Sequence, residues 1–151
     1  LETERLFRMK TKAKPPKALI AYYGILQSAH LAVLIRAGIL MLSGNTSPFP
    51  ILPPTGGWGA QSMAFMFGLA GMDVIGIVLG IIFSFKTLFK LTFHPLMGII
   101  SLTIFISGAI IFGAGTFPSG AWSAHPVAYW IMVALFSPSL ILYYQLLKRN
   151  L

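Results

Sequence analysis

Cysteine is absent from the 151 residues, which excludes disulfides, thiolate nucleophiles and cysteine-held metal or iron–sulfur centres. Acidic side chains are nearly absent as well: Glu2, Glu4 and Asp73 are the only 3, against 11 Lys and Arg. One carboxylate beyond the N-terminal segment excludes paired-carboxylate acid/base chemistry and any metal cluster of His with acidic residues. No glycine motif is followed by the Lys or acidic residue that a nucleotide site needs. Glycine runs such as Gly76-x-x-x-Gly80 and Gly113-Ala114-Gly115 therefore read as helix-packing signals rather than phosphate cradles.

What the chain does have is apolar length. Hydrophobic residues make up 56% and charged residues 9%, with a mean hydropathy of +0.81, values that no water-soluble domain of this size carries on its surface. Four apolar runs cover about 18–42, 61–85, 95–117 and 127–147. Each reaches the ~20 residues that a helix rising ~1.5 Å per residue needs to cross ~30 Å of hydrocarbon. The fold class expected is an all-α integral membrane protein, a four-transmembrane-helix bundle. It comprises a basic segment over 1–17, a membrane domain over 18–147 and a tail over 148–151. The first run is too long for the h-region of a cleaved signal, so it is expected to stay as a span.

The charges give direction to the bundle. Arg5, Arg8, Lys10, Lys12, Lys14 and Lys17 precede the first span, Lys86 and Lys90 separate the second from the third, and Lys148 and Arg149 follow the fourth. Residues 43–60 and 118–126 hold no Lys or Arg. This positive-inside pattern places both termini on the cytoplasmic side and accounts for the net charge of +8 without nucleic acid. Trp58, Trp122, Tyr129 and Trp130 fall at the outer boundary, and Tyr22, Tyr23, Tyr143 and Tyr144 at the inner one, as aromatic belts do. Membrane lipid is thus an expected partner, and the basic N-terminal segment has the composition to meet anionic headgroups.

Between the first two spans, Pro48, Pro50, Pro53 and Pro54 with several glycines exclude helix and central strand. Phe49, Ile51, Leu52 and Trp58 are too apolar for a free loop, so a semi-rigid cap on the membrane or on a partner is expected. Asn45-Thr46-Ser47 matches the N-glycosylation triplet on the outer side. His94-Pro95 and His125-Pro126 open the third and fourth spans, with Pro where its missing N–H costs least and the histidines as interfacial caps. Pro138, flanked by Ser137 and Ser139, is expected to kink the last span, with hydroxyls taking up the freed backbone groups.

Within the spans, only His30, Arg36 and Asp73 can carry charge at depth. Such residues cost ~2.5–3.5 kcal/mol on insertion scales and need a partner or a function. Arg36, ~9 Å below the outer boundary, leans inward and Asp73, ~18 Å below it, leans outward, so an intramembrane ion pair is expected between them. Gly24, Ser28, Ala32 and Arg36 form one stripe of mostly small residues, and Ala70, Asp73, Gly76 and Gly80 another. Together they predict a tight hairpin of the first two helices. His30 shares a different face with Tyr23, Gln27 and Leu34. Lipid, haem or a chlorophyll-type pigment are the cofactors this pattern admits, with His30 as a single axial ligand and Gln27 beside it. His94 and His125 lie at opposite boundaries, too far apart in depth to supply a second one.

Two functional readings follow. The first is an accessory subunit of a larger membrane assembly, plausibly one for electron transfer or light harvesting, packing against partner subunits, lipid or pigment. The alternative is an independent proton-coupled transporter or small membrane enzyme using Asp73 and His30. The first expects no catalysis of its own.

Overall fold

A computed structural model describes residues 15–44, 51–91 and 94–150, and all regular structure among them is helical. The N-terminal cations up to Lys14, the Asn45-Thr46-Ser47 triplet and Pro48, Phe49 and Pro50 lie outside the described residues. The elements are α1 (Lys17–Leu42), α2 (Ala60–Leu88), α3 (Pro95–Thr116), a 3-10 turn (Phe117–Ser119), α4 (Ala121–Ala124) and α5 (Pro126–Asn150). Four helices are long and apolar enough to cross a membrane: α1, α2, α3 extended through the 3-10 turn, and α5. Their boundaries match the expected spans closely, with α2 and α5 each running about one turn further at the C-terminal end.

Helix ends follow local chemistry. Pro95 and Pro126 stand at the first positions of α3 and α5, where a missing N–H removes nothing the helix needs. His94 occupies the N-cap position of α3 but makes no side-chain capping hydrogen bond. Gly120, at φ 84°, adopts the left-handed conformation that turns the chain between the 3-10 turn and α4, where a β-carbon would be strained.

The helices alternate in direction. Gly24 meets Ser84 while Ala37 clusters with Met66, so α1 and α2 are antiparallel. Gly80 meets Ser101 and Gly108 meets Asp73, so α2 and α3 are too. The main core joins all four at the end where α1 begins and α5 ends: Ile20 and Tyr23 from α1, Phe83 from α2, Leu102 and Phe105 from α3, and Leu142 and Leu146 from α5. A smaller cluster at the opposite end gathers Ala37 and Met66 with Ile51, Trp58 and Phe112 around them.

α5 runs through Pro138 as a continuous helix. The proline cannot donate to Ala134, whose carbonyl instead accepts from Ser137 Oγ at 2.8 Å, and the next carbonyl, Leu135, accepts from Tyr22 Oη at 2.6 Å. The expectation that serine hydroxyls would repair the backbone holds for Ser137. Ser139 does not share in it; its hydroxyl is buried and without a hydrogen-bond partner.

The cap between α1 and α2 is tied to the beginning of α5. Trp58 Nε1 donates to the Ile51 carbonyl (3.2 Å), Tyr129 Oη to Leu52 (2.9 Å) and His125 Nε2 to Pro53 (3.1 Å). Trp122 stacks on Tyr129 at 4.8 Å and meets Trp130 edge-on at 6.0 Å. The described part of this segment is therefore held by the chain's own aromatic corner. His125 serves that corner as a donor to a distant carbonyl.

Candidate functional site

Which face of α1 turns inward decides the site. Ile20, Tyr23, Gln27 and Ala37 are buried, and His30 and Leu34 are half-buried. This is one face at helical spacing. Ser28, Ala32 and Arg36 are exposed. The stripe expected to seal the first hairpin thus closes only at Gly24, where a β-carbon would lie 2.8 Å from Ser84 Cβ. In a bilayer the surrounding solvent is hydrocarbon, so groups that hydrogen-bond gain by turning to the interior, and small residues are free to face lipid.

The matching stripe on α2 packs mainly on α3. A β-carbon on Gly76 would lie 2.7 Å from Ile104 Cγ2, and one on Gly80 would lie 2.6 Å from Ser101 Oγ, 3.0 Å from Gln27 Cγ and 3.1 Å from Tyr23 Cε1. Gly80 is therefore the point where three helices converge. Ala70 sits apart, lining an apolar groove of about 210 Å³ between the other halves of α1 and α2, together with Leu34, Ala37, Gly38, Met41, Phe67, Gly71 and Val74.

Around Gly80 the polar groups assemble. Ser101 Oγ donates to the Gly76 carbonyl at 2.6 Å. Its proton being committed there, the Tyr23 hydroxyl is the donor in the 2.7 Å contact with Ser101 Oγ. The link ties α1, α2 and α3 through one buried serine. Gln27 stands beside it, fully buried and near the Tyr23 hydroxyl, with neither its amide oxygen nor its amide nitrogen in a well-formed hydrogen bond. Ser84 Oγ and Thr87 Oγ1, one and two turns along α2 from Gly80, are also buried without partners. Further into the bundle, His30 lies edge-on to Phe105 at 6.3 Å, with Nδ1 buried and unbonded.

Asp73 does not meet Arg36. Its carboxylate lies against α3, where a β-carbon on Gly108 would come 2.5 Å from Oδ1. The Arg36 side chain is exposed on the opposite side of α1 from the buried face. Among the described residues no ion pair joins the two. Depth and lean put the heads at compatible heights, but the rotation of α1 that buries Tyr23, Gln27 and His30 carries Arg36 out of reach. Also among the described residues, no group of three or more His, Cys, Asp or Glu is placed to hold a metal ion.

Of the expected site residues, Gln27, Gly76, Gly80, His30 and Asp73 line the bundle interior, Gly24 sits at its edge, and Ser28, Ala32 and Arg36 face out. Tyr23, Ser84 and Ser101 were not singled out as a polar cluster. For two of them the signal was present: the Tyr23 hydroxyl shares a face of α1 with Gln27, and the Ser84 hydroxyl a face of α2 with Gly80. Comparison of the chain with protein-family models, with curated proteins and with solved structures finds no match.

Proposed function

We propose that this chain is a small accessory subunit of a larger membrane assembly, oriented with both termini at the cytoplasmic face. One observation carries the reading. Arg36 is exposed on the outside of the bundle, about 9 Å below the end of α1 at 1.5 Å per residue, and it has no carboxylate partner in its own chain among the described residues. A cation there costs ~2.5–3.5 kcal/mol on insertion scales unless something meets it. Ser28 and Ala32 continue the same exposed face, which lets a neighbouring helix come close enough to bring an acidic or carbonyl group to the guanidinium. Within this reading the assembly is one for electron transfer or light harvesting, and His30 is the side chain of this chain that would ligate a haem or chlorophyll-type pigment.

The test is gentle solubilisation of native membranes, isolation of this chain, and measurement of companion proteins and of the visible absorption spectrum. The expected result is fixed stoichiometry with larger chains, lost in Arg36→Leu while the isolated bundle keeps its helicity. A solitary monomer in the wild type would overturn the proposal. A colourless but stoichiometric complex would remove only the pigment.

A second reading, a proton-coupled transporter or small membrane enzyme, draws on the inward placement of Asp73 and His30. It predicts that Asp73→Asn abolishes activity in a reconstituted, partner-free chain.

A further inference from the structure

Ser139 Oγ and Gln145 Oε1 on α5 are buried without hydrogen-bond partners, and a larger set of such atoms lies together on α1 and α2. Thr87 and Ser84 lie on successive turns of one face of α2, and Ser84 abuts Gly24. Gln27 is one turn beyond Gly24 on α1, and His30 one turn beyond Gln27. The row begins near the end of α2 that carries Lys86, and proceeds to the middle of the bundle. Thr87 Oγ1, Ser84 Oγ, both amide atoms of Gln27, and His30 Nδ1 are buried without hydrogen-bond partners. Asp73 is on the same face of α2 as Ser84 and Gly80, further along the helix, with its carboxylate against Gly108 of α3.

Satisfying these groups within the protein has a clear alternative in packing. Ser101 does so, bonded at once to Tyr23 and to the Gly76 carbonyl. Gln27, in contact range of the same Gly80, lies beside the Tyr23 hydroxyl and interacts with it, but neither amide atom completes a well-formed hydrogen bond. An amide with no partner in a low-dielectric interior costs several kcal/mol. Internal water is the ligand that answers such groups, typically making about three hydrogen bonds to otherwise unsatisfied polar atoms. Anion or metal ligands do not fit: the row holds no cation, and among the described residues no metal-binding cluster exists.

We propose that Thr87, Ser84, Gln27 and His30 hold a file of water molecules that carries protons between the terminal end of the bundle and Asp73. The amide of Gln27 orients the water, donating through its nitrogen and accepting through its oxygen. Imidazole accepts a proton at one ring nitrogen and releases one from the other. At the end of the file the last water hands a proton to the Asp73 carboxylate as it accepts one from its neighbour, so that a proton entering at the terminal end leaves every water neutral and Asp73 as the neutral acid, and the reverse transfers return it. Phe105, edge-on to His30, and the apolar core of Phe83, Leu102 and Leu142 bound the file on the side of α3 and α5. The file stands whether the chain works alone or within an assembly in which His30 ligates no pigment.

The test uses the full chain in lipid bilayers and follows the infrared carbonyl stretch of the protonated Asp73 carboxyl, assigned by its loss in Asp73→Asn, after a switch from H2O to D2O. The wild-type band is expected to shift within the mixing time. Gln27→Leu is expected to slow that shift by about tenfold, equivalent to about 1.4 kcal/mol in barrier, and Ser84→Ala to slow it less. Should Gln27→Leu lose its helical circular dichroism, Ser84→Ala decides alone, because it removes one hydroxyl and adds no bulk. A wild-type band that does not exchange, or variants that exchange as fast as wild type, would overturn the proposal.

Discussion

The seam between α2 and α3 and the seam between α1 and α2 are built from similar residues and close differently. Along α2 and α3, four glycine gaps receive a side chain from the other helix: Ile104 over Gly76, Ser101 over Gly80, Asp73 over Gly108, Phe65 over Gly115. The contact runs the length of the helices. Between α1 and α2 the same closeness occurs at Gly24 against Ser84 and at Gly80 against Gln27 and Tyr23, and beyond them lies a groove of about 210 Å³ whose lining includes Ala37, Gly38, Ala70 and Gly71. Nothing lies within 4 Å of a β-carbon built on Gly38 or Gly71. Small residues permit approach without causing it. A seam closes where a larger group stands opposite to fill the space, because dispersion contacts rather than exclusion from water drive helix association in lipid.

This contrast is open to direct test. The largest effect is expected from Gly76→Val. The added methyl groups meet the β-branched Ile104, which has little χ1 freedom to move aside, so overpacking should cost about 1–3 kcal/mol, read as loss of melting temperature in detergent. Ser101→Ala should cost about 1–3 kcal/mol, because it leaves the buried Tyr23 hydroxyl without its partner; Tyr23→Phe in the same background should restore part of the loss. Gly24→Ala is expected to cost less, about 1 kcal/mol, since the contact is with one serine side chain at the edge of the seam. The smallest change belongs to Gly38→Ala and Gly71→Ala, within about 0.5 kcal/mol of wild type. If these two destabilise as much as Gly76→Val, the α1/α2 groove is closed in the membrane and the contrast disappears.

The spans were legible in the sequence because length and apolar content are what a bilayer demands, and residues such as Pro95 and Pro126 marked the starts. Rotation of each helix was not legible from small-residue spacing. Gly24, Ser28, Ala32 and Arg36 form as regular a stripe as Ala70, Asp73, Gly76 and Gly80, yet Ser28, Ala32 and Arg36 face out while Asp73, Gly76 and Gly80 face in. The polar residues held the better signal: Tyr23, Gln27 and His30 share a face, and it is the face turned inward. The Arg36–Asp73 pairing rests on depth, lean and the two small-residue stripes, and the stripe on α1 gave the wrong azimuth. Ser101 could be found only with α3 docked, since its two partners are 78 residues and 25 residues away.

The aromatic corner has a consequence for how the chain is made. Leu52 and Pro53 are gripped by Tyr129 and His125, which follow them by 77 and 72 residues. A ribosome delivers the first crossover long before those side chains emerge, so that crossover cannot take its final shape until the last rod has been released into lipid. The clasp is thereby a mark of completed biogenesis: a nascent chain stalled before Pro126 would display an unlatched, protease-sensitive loop, and a finished one would not.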